Sequence, residues 1–154
     1  MQDGHAVRGT TRDPARAQQL ERAGAEAFVA DPDRVVTLMP ALDRVTVVCH
    51  LLGSARGERA MLEALHGPRL EMLLARLIDT TVRGVVYEAT GSVPAELLHE
   101  GADRVRRACA YSHVPFQLLE APPPEHHRAW RDAALEAIER LVDSNTIKAT
   151  GFSS

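Results

Sequence analysis

The chain has 154 residues, of which 45% are hydrophobic and 25% charged, with a formal net charge of -3. This length suits one domain with a substantial core. A mildly acidic chain gives no electrostatic reason to bind nucleic acid, no apolar run reaches membrane-spanning length and no signal-peptide pattern is present, so we expect a cytoplasmic protein without nucleic-acid or membrane partners.

Residues 6–42 alternate between extended and helical patterns. An extended segment over residues 6–11 stops at Asp13-Pro14, and Gly24 closes the helix that follows over residues 15–23. Proline early in a helix and glycine just past its end are the expected punctuation. Residues 26–30 then predict a second short strand, and residues 32–42 a second helix.

Two apolar runs, residues 45–52 and 82–89, predict the next strands. Continuous rather than alternating apolarity is typical of strands buried on both faces of a parallel sheet. Apolar residues at helical spacing predict helices over residues 61–65, 68–78 and 98–111. A fifth strand over residues 114–119 ends before three consecutive prolines, 122–124, and a last helix over residues 128–142 buries Trp130.

This alternation predicts an α/β fold, a three-layer Rossmann-like parallel sheet of about five strands with helices on both faces. Ligands of such folds bind beyond the carboxyl ends of the strands. Those ends fall at residues 10–12, 31, 52–55, 90–92 and 120–122. Candidate functional residues are therefore sought there.

Cysteine and histidine usage argues against a metal centre. Cys49 and Cys109 lie in apolar surroundings without CxxC spacing, which favours buried free thiols over a zinc site or a disulfide. The seven histidines are scattered, only His126 and His127 are adjacent, and no HExxH motif occurs. We expect no metal site, although imidazole is a common metal ligand.

One segment resembles a known family. Residues 4–14, GHAVRGTTRDP, are similar to the second strand of extended or atypical short-chain dehydrogenase/reductases of the epimerase/dehydratase group, where GH-x-V follows the first helix. Gly24-Ala25-Glu26 before the next strand and Asp31 after it fit the same pattern. The likeness extends to about residue 143 and implies one NAD(P)-binding Rossmann-like domain over residues 1–154.

The resemblance also implies cofactor contacts at the strand ends. Arg12 stands where the family has an arginine that favours NADP, because a guanidinium can hold the adenosine 2′-phosphate bidentately. Asp31 matches the carboxylate near the adenine, and Gly53 the loop along the cofactor. The candidate cofactor-binding residues are Thr10, Thr11, Arg12, Asp31, Leu52, Gly53 and Thr90. A solvated charge for Arg12 and a helix N-cap for Asp31 are the open alternatives.

The family's first strand and GxGxxG turn have no counterpart in this sequence. That turn holds the pyrophosphate through backbone amides, so we expect a sheet without its first strand and weakened binding of NADP or NAD. In the family's 3-2-1-4-5-6 strand order, the strands over residues 6–11 and 45–52 then either pair directly or expose edges that invite association, a homodimer included. A truncated gene model, a fragment and a degenerate relative are the alternatives.

The family's catalytic dyad, Tyr-x-x-x-Lys, is absent. Gly91 stands four residues after Tyr87, and Pro115 four residues after Tyr111. Glu88, at a strand end, is either a general base or a polar tip on a buried strand. The catalytic residues are left unassigned.

These observations predict an NAD(P)-binding, NADP-preferring protein of the short-chain dehydrogenase/reductase type, similar to epimerases and dehydratases but without standard Tyr/Lys catalysis. If a complete parent protein is active, it is an NAD(P)-dependent oxidoreductase or epimerase. The alternative is a non-catalytic interaction or regulatory module on a degenerate Rossmann scaffold.

Overall fold

The computed structural model of the chain describes residues 5–120 and 127–151. Two compact units meet in the sequence between residues 43 and 44. Gly4 of the GH-x-V segment, the prolines 122–124 and His126 lie outside the described residues.

The first unit holds a two-stranded parallel sheet. Its elements are strand β1 (Arg8–Thr11), helix α1 (Pro14–Arg22), strand β2 (Glu26–Val29) and a 3₁₀-helix (Val35–Leu42). Strand β1 pairs with β2 in a register that places Arg8 opposite Glu26 and Thr11 opposite Val29. The side chains of Ala30, Val35, Ala41 and Leu42 are buried and form its small core.

Local chemistry explains where α1 begins and ends. The Asp13 carboxylate accepts a hydrogen bond from the Ala15 amide at 2.9 Å, and Pro14 follows it in the first turn, where no amide hydrogen is needed. Beyond the helix, Gly24 has a φ of 94°, a left-handed conformation that glycine adopts without steric cost. The predicted punctuation of this helix is therefore present.

The helix predicted over residues 32–42 is shorter and of a different type. A turn at Asp31 occupies the first residues, because the Asp31 carboxylate accepts a hydrogen bond from the Asp33 amide at 2.9 Å. The helix then runs over Val35–Leu42 in 3₁₀ form and contains Pro40. Proline has no amide hydrogen to donate, so a regular α-helix could not be hydrogen-bonded through this position.

The second unit holds a three-stranded parallel sheet in the order β3-β4-β5. Its elements, in chain order, are β3 (Val47–His50), α2 (Arg59–His66), α3 (Pro68–Leu77), β4 (Gly84–Glu88), α4 (Ala95–Ser112), β5 (Phe116–Leu119) and α5 (His127–Gly151). Helix α5 continues beyond the predicted end at residue 142. The central strand, β4, is buried at all five positions.

Helices cover both faces of this sheet. On one face Val86 and Leu119 pack against Ala134, Ala137 and Leu141 of α5. On the other face Tyr87 points towards α2 and α4, where its hydroxyl lies 2.7 Å from Nδ1 of His66. The α/β class, with parallel strands between helical layers, is thus confirmed, although the described strands form two sheets, of two and three strands.

Strand β3 is less buried than its sequence predicts. It pairs with β4 on one side and, among the described residues, with no strand on the other. Cys49 is consequently exposed, contrary to the buried thiol expected, whereas Cys109 in α4 is buried as expected. A strand at the edge of a sheet remains exposed along its unpaired side, even where helices cover both faces of the sheet.

No helix among residues 5–120 and 127–151 combines the length and apolar character that crossing a bilayer requires.

Candidate functional site

The turns that follow β3 and β4 touch through their backbones. The Gly53 amide donates a hydrogen bond to Oε1 of Glu88 at 2.7 Å, and the Gly53 carbonyl accepts one from the Val93 amide at 3.0 Å. A Cβ atom on Gly53 would lie 2.1 Å from the carbonyl oxygen of Thr90, closer than any side chain allows. Glycine is therefore required at position 53, and the predicted residues Leu52, Gly53 and Thr90 come together.

Glu88 is a buried, fully engaged carboxylate. Only 7% of the residue is exposed. Its Oε1 accepts from the Gly53 amide, and its Oε2 accepts from the indole Nε1 of Trp130 at 2.7 Å. Both oxygens are directed into the protein, so Glu88 joins a turn to helix α5. The polar-tip interpretation fits this geometry better than a general base facing a ligand.

A polar cluster lies under the β3 turn, on the opposite face of the sheet. The His66 ring sits between the Tyr87 hydroxyl, 2.7 Å from Nδ1, and the Leu52 carbonyl, 3.0 Å from Nε2. The His50 ring stacks on Tyr87 with centroids 5.3 Å apart and meets the His66 ring edge-on at 5.5 Å. All three side chains are buried.

Burial sets the protonation states of this cluster. It lowers the pKa of His66, and it lowers the pKa of His50 to about 3, with a smaller contribution from the charge of His66. It also raises the pKa of the Tyr87 hydroxyl above its usual range. Both imidazoles are therefore neutral near pH 7. Nδ1 of His50 has no hydrogen-bond partner among the described residues.

The two tyrosines occupy contrasting positions, one buried next to the last residue of β4 and the other on the surface of α4. Tyr87 is 0% exposed and its hydroxyl is engaged with His66. Tyr111 is 84% exposed near the end of α4. With no lysine four residues after either one, the described residues contain no counterpart of the Tyr-x-x-x-Lys dyad.

A cleft of about 400 Å³ opens beside Thr90 at the carboxyl ends of β4 and β5. Thr90 and Gly91 form one wall, and the other side carries charged or polar groups from α4 and from the end of β5. Those groups are His99, Arg106 and Glu120. The cleft is open, and Ala95, Leu98 and Ala102 of α4 add apolar lining beside these polar groups.

The strand ends of the first unit carry one free cation. Arg12 is exposed directly after β1 and makes no ion pair or hydrogen bond with the described residues. Arg8, on the same strand, is instead bound: its guanidinium pairs with Glu26 at 3.1 Å and donates to the carbonyls of Ala41 and Asp43. Among the described residues of this unit, Arg8 is thus held by structural contacts, whereas Arg12 is not.

The hydroxyl and carboxylate candidates nearby are partly committed. Thr10 is exposed, whereas Oγ1 of Thr11 accepts a hydrogen bond from the Asp13 amide at 3.1 Å. The Ala30 amide donates to the Thr11 carbonyl at 2.9 Å, which places Asp31 next to the end of β1. Oδ1 of Asp31 holds the Asp33 amide, so Asp31 closes a turn rather than capping the helix.

Sequence reasoning did not predict the roles of His66, which donates to the Leu52 carbonyl in the turn after β3, and of Trp130, which donates to Glu88. Their partners lie 14 and 42 residues away, so no local pattern announces them. The described residues contain no group of three or more histidine, cysteine, aspartate or glutamate side chains that could hold a metal ion.

Comparisons with solved structures identify the architecture. Two structures of triphenylmethane reductase from Citrobacter sp., one of them complexed with NADP(H), superpose on this chain with TM-scores of 0.56 and 0.57 at 18% and 17% sequence identity. They cover 75% and 79% of this chain. The fold is Rossmann-like. No protein-family model and no curated protein sequence matches the chain.

The Rossmann-like chain accounts for only part of these neighbours. It spans 39% and 42% of their length. At this identity the likeness concerns the fold alone. Any proposal about function therefore rests on the residues at the strand ends.

Proposed function

We propose that the chain binds an NADP-type dinucleotide at the carboxyl ends of its parallel strands. Ligands of Rossmann-like folds bind at this edge. The observation that carries the proposal is the free guanidinium of Arg12, which is exposed at the end of β1 and engaged by no described residue. One of the structurally similar reductases was crystallised in complex with NADP(H), which supports the choice of ligand.

In the first unit the 2′-phosphate is assigned to Arg12. A guanidinium presents paired N–H donors that match two phosphate oxygens, and the Thr10 and Thr11 hydroxyls stand beside it as further donors. Asp31 is assigned to the adenine amino group through Oδ2, because its Oδ1 already holds the Asp33 amide. This pattern favours NADP over NAD, which lacks the phosphate.

In the second unit we assign contacts along the cofactor to Leu52, Gly53 and Thr90. Gly53 has no side chain to keep a ligand away from its backbone. Thr90 lies on the wall of the adjoining cleft. Binding remains weak, because no glycine-rich turn of the GxGxxG type supplies pyrophosphate contacts in this sequence.

The same assignment makes residues 1–154 one nucleotide-binding domain of a cytoplasmic protein similar to short-chain dehydrogenase/reductases of the epimerase/dehydratase type. If a complete parent protein is active, residues 1–154 supply no Tyr-x-x-x-Lys dyad for its reduction or epimerisation. This functional class is supported by the GHAVRGTTRDP segment and by the fold of the neighbours.

The test is titration of the purified chain with NADPH and with NADH, followed by nucleotide fluorescence, in the wild type and in Arg12→Ala. We expect NADPH to bind more tightly than NADH. Loss of a charge-assisted bidentate contact should weaken NADPH binding by roughly tenfold to a hundredfold and leave NADH binding nearly unchanged.

Arg22→Ala is the matched control, because Arg22 lies in the last turn of α1, away from the end of β1. It should bind both nucleotides like the wild type. Equal weakening by the two variants would mean that Arg12 contributes only general charge. No binding of either nucleotide at millimolar concentration would reject the cofactor assignment.

A second candidate function rests on the sheet edges. Strands β1 and β3 each pair on one side only within the described residues, and Leu51, just after β3, is 39% exposed. Unpaired strand edges template pairing with another chain. A non-catalytic interaction module, self-associating as a homodimer, would use this edge.

A further inference from the structure

A single peptide group, the one joining Leu52 to Gly53, is held at both of its polar atoms by buried side chains. The Leu52 carbonyl accepts from Nε2 of His66 at 3.0 Å, and the Gly53 amide donates to Oε1 of Glu88 at 2.7 Å. The carbonyl also accepts from the Ala55 amide at 3.2 Å. Because a peptide group is planar, contacts at both its C=O and its N–H restrict the rotation of the whole group.

The hydrogen-bond pattern also fixes the tautomer of His66. A carbonyl oxygen can only accept, so Nε2 must carry the hydrogen that points to Leu52. In a neutral ring Nδ1 is then an acceptor, and the Tyr87 hydroxyl donates to it across 2.7 Å. Tyr87 thus acts through His66 on the peptide. The absence of a side chain on Gly101 makes room, since a Cβ atom there would lie 2.1 Å from the Tyr87 hydroxyl.

The Glu88 side of the arrangement is anchored independently. Oε2 of Glu88 accepts from the Trp130 indole at 2.7 Å, so helix α5 sets the direction in which Oε1 faces Gly53. His66 ends helix α2 on the other side of the sheet. Two separate helical layers therefore determine how one peptide at the end of β3 is presented.

We infer that His66 and Glu88 are positioning residues, which orient the Leu52–Gly53 peptide for nucleotide binding. The inference rests on the proposed function, in which Leu52 and Gly53 lie along the cofactor. His66 is 1% exposed and Glu88 7%, so neither can touch a ligand itself. A turn that is already ordered spares the ligand the entropy cost of ordering it.

The test compares Glu88→Gln and Tyr87→Phe with the wild type by two measurements. The first is NMR of the Gly53 amide and of the His66 ring nitrogens, and the second is NADPH titration. Glu88→Gln keeps the shape of the side chain. Its amide NH₂ group, however, must face an N–H donor, either the Gly53 amide or the Trp130 indole. Tyr87→Phe keeps the packed ring and removes only the donor to Nδ1.

In the wild type we expect a strongly downfield Gly53 amide proton, because its acceptor is a carboxylate, and a His66 ring with hydrogen on Nε2. Glu88→Gln should move the Gly53 proton upfield and weaken NADPH binding about tenfold, the effect of losing one charge-assisted hydrogen bond. Tyr87→Phe should shift the Nδ1 signal of His66, which loses its hydrogen-bond donor, and weaken binding by a smaller factor.

Matched controls are Glu136→Gln and Tyr111→Phe, whose side chains are exposed on α5 and α4. Both should leave the NMR signals and the affinity unchanged. If the Gly53 and His66 signals shift while NADPH affinity stays at the wild-type value, the positioning role is wrong. Unshifted signals in both variants would show that the peptide is not held by these side chains. Failure of the wild type to bind NADPH rejects the proposed function instead.

Discussion

His50 is the side chain whose surroundings most strongly oppose charge. It is stacked on Tyr87, and its pKa is lowered from 6.5 in an exposed residue to about 3. As pH falls below about 6.5 the unfolded chain binds a proton that the folded chain refuses. The contribution of His50 to the free energy of unfolding is therefore fully present above that pH. It is lost towards pH 3, by at most ~1.4 kcal/mol per pH unit for one proton.

Urea denaturation at pH 7 and pH 5 measures this effect. His50→Phe preserves the stacked ring and should make the loss of unfolding free energy on acidification smaller than in the wild type. His66 contributes in the same direction, since its pKa is also lowered, so some dependence remains. Tyr111→Phe, at an exposed ring of α4, should keep the wild-type dependence. An unchanged dependence in His50→Phe would contradict the assignment.

At the level of elements, the proposed self-association uses the edge of β3 that is unpaired among the described residues. Placing Lys in line with an exposed strand edge discourages pairing with another chain. Leu51→Lys should therefore shift any self-association to higher protein concentration, as measured by sedimentation velocity over a wide concentration range. Val36→Lys, at another exposed apolar position, serves as the control. Wild-type association in Leu51→Lys would exclude the β3 edge.

Most elements could be predicted because their signals are local. Asp13, Pro14 and Gly24 mark α1, and the apolar run around Val85 marks β4. The exposure of Cys49 could not be predicted, since a strand's own sequence does not say how many neighbours it has. The 3₁₀-helix does have a local signal, because Pro40 lies inside it and has no amide hydrogen for α-helical bonding.

The candidate site was predictable only in part, for the same reason. Gly53 and Thr90 were expected together because both follow parallel strands, and the structure joins them. His66 and Glu88 contribute through contacts that depend on strand register and helix placement. Those distances across the fold are set by packing and leave no short-range pattern in the sequence.

At the scale of the whole molecule, the division between residues 43 and 44 makes a prediction about independence. The packing of Val86 and Leu119 against α5 and the hydrogen bonds around the Leu52–Gly53 peptide all lie within residues 44–154. This segment expressed alone should unfold cooperatively and keep the wild-type Gly53 amide signal. Collapse of NMR dispersion in the shortened chain would show that the first 43 residues are needed for folding.

The crossing of two turns has a consequence for how this protein can change in evolution. A methyl group on Gly53 would meet the Thr90 carbonyl, and one on Gly91, whose φ is 147°, would lie 2.0 Å from the Gly53 carbonyl. Neither substitution relieves the other, because each collides with main chain rather than with a side chain. Homologues that retain this crossing should therefore carry glycine at both positions, a pair separated by 38 residues that serves as a sequence signature for finding them.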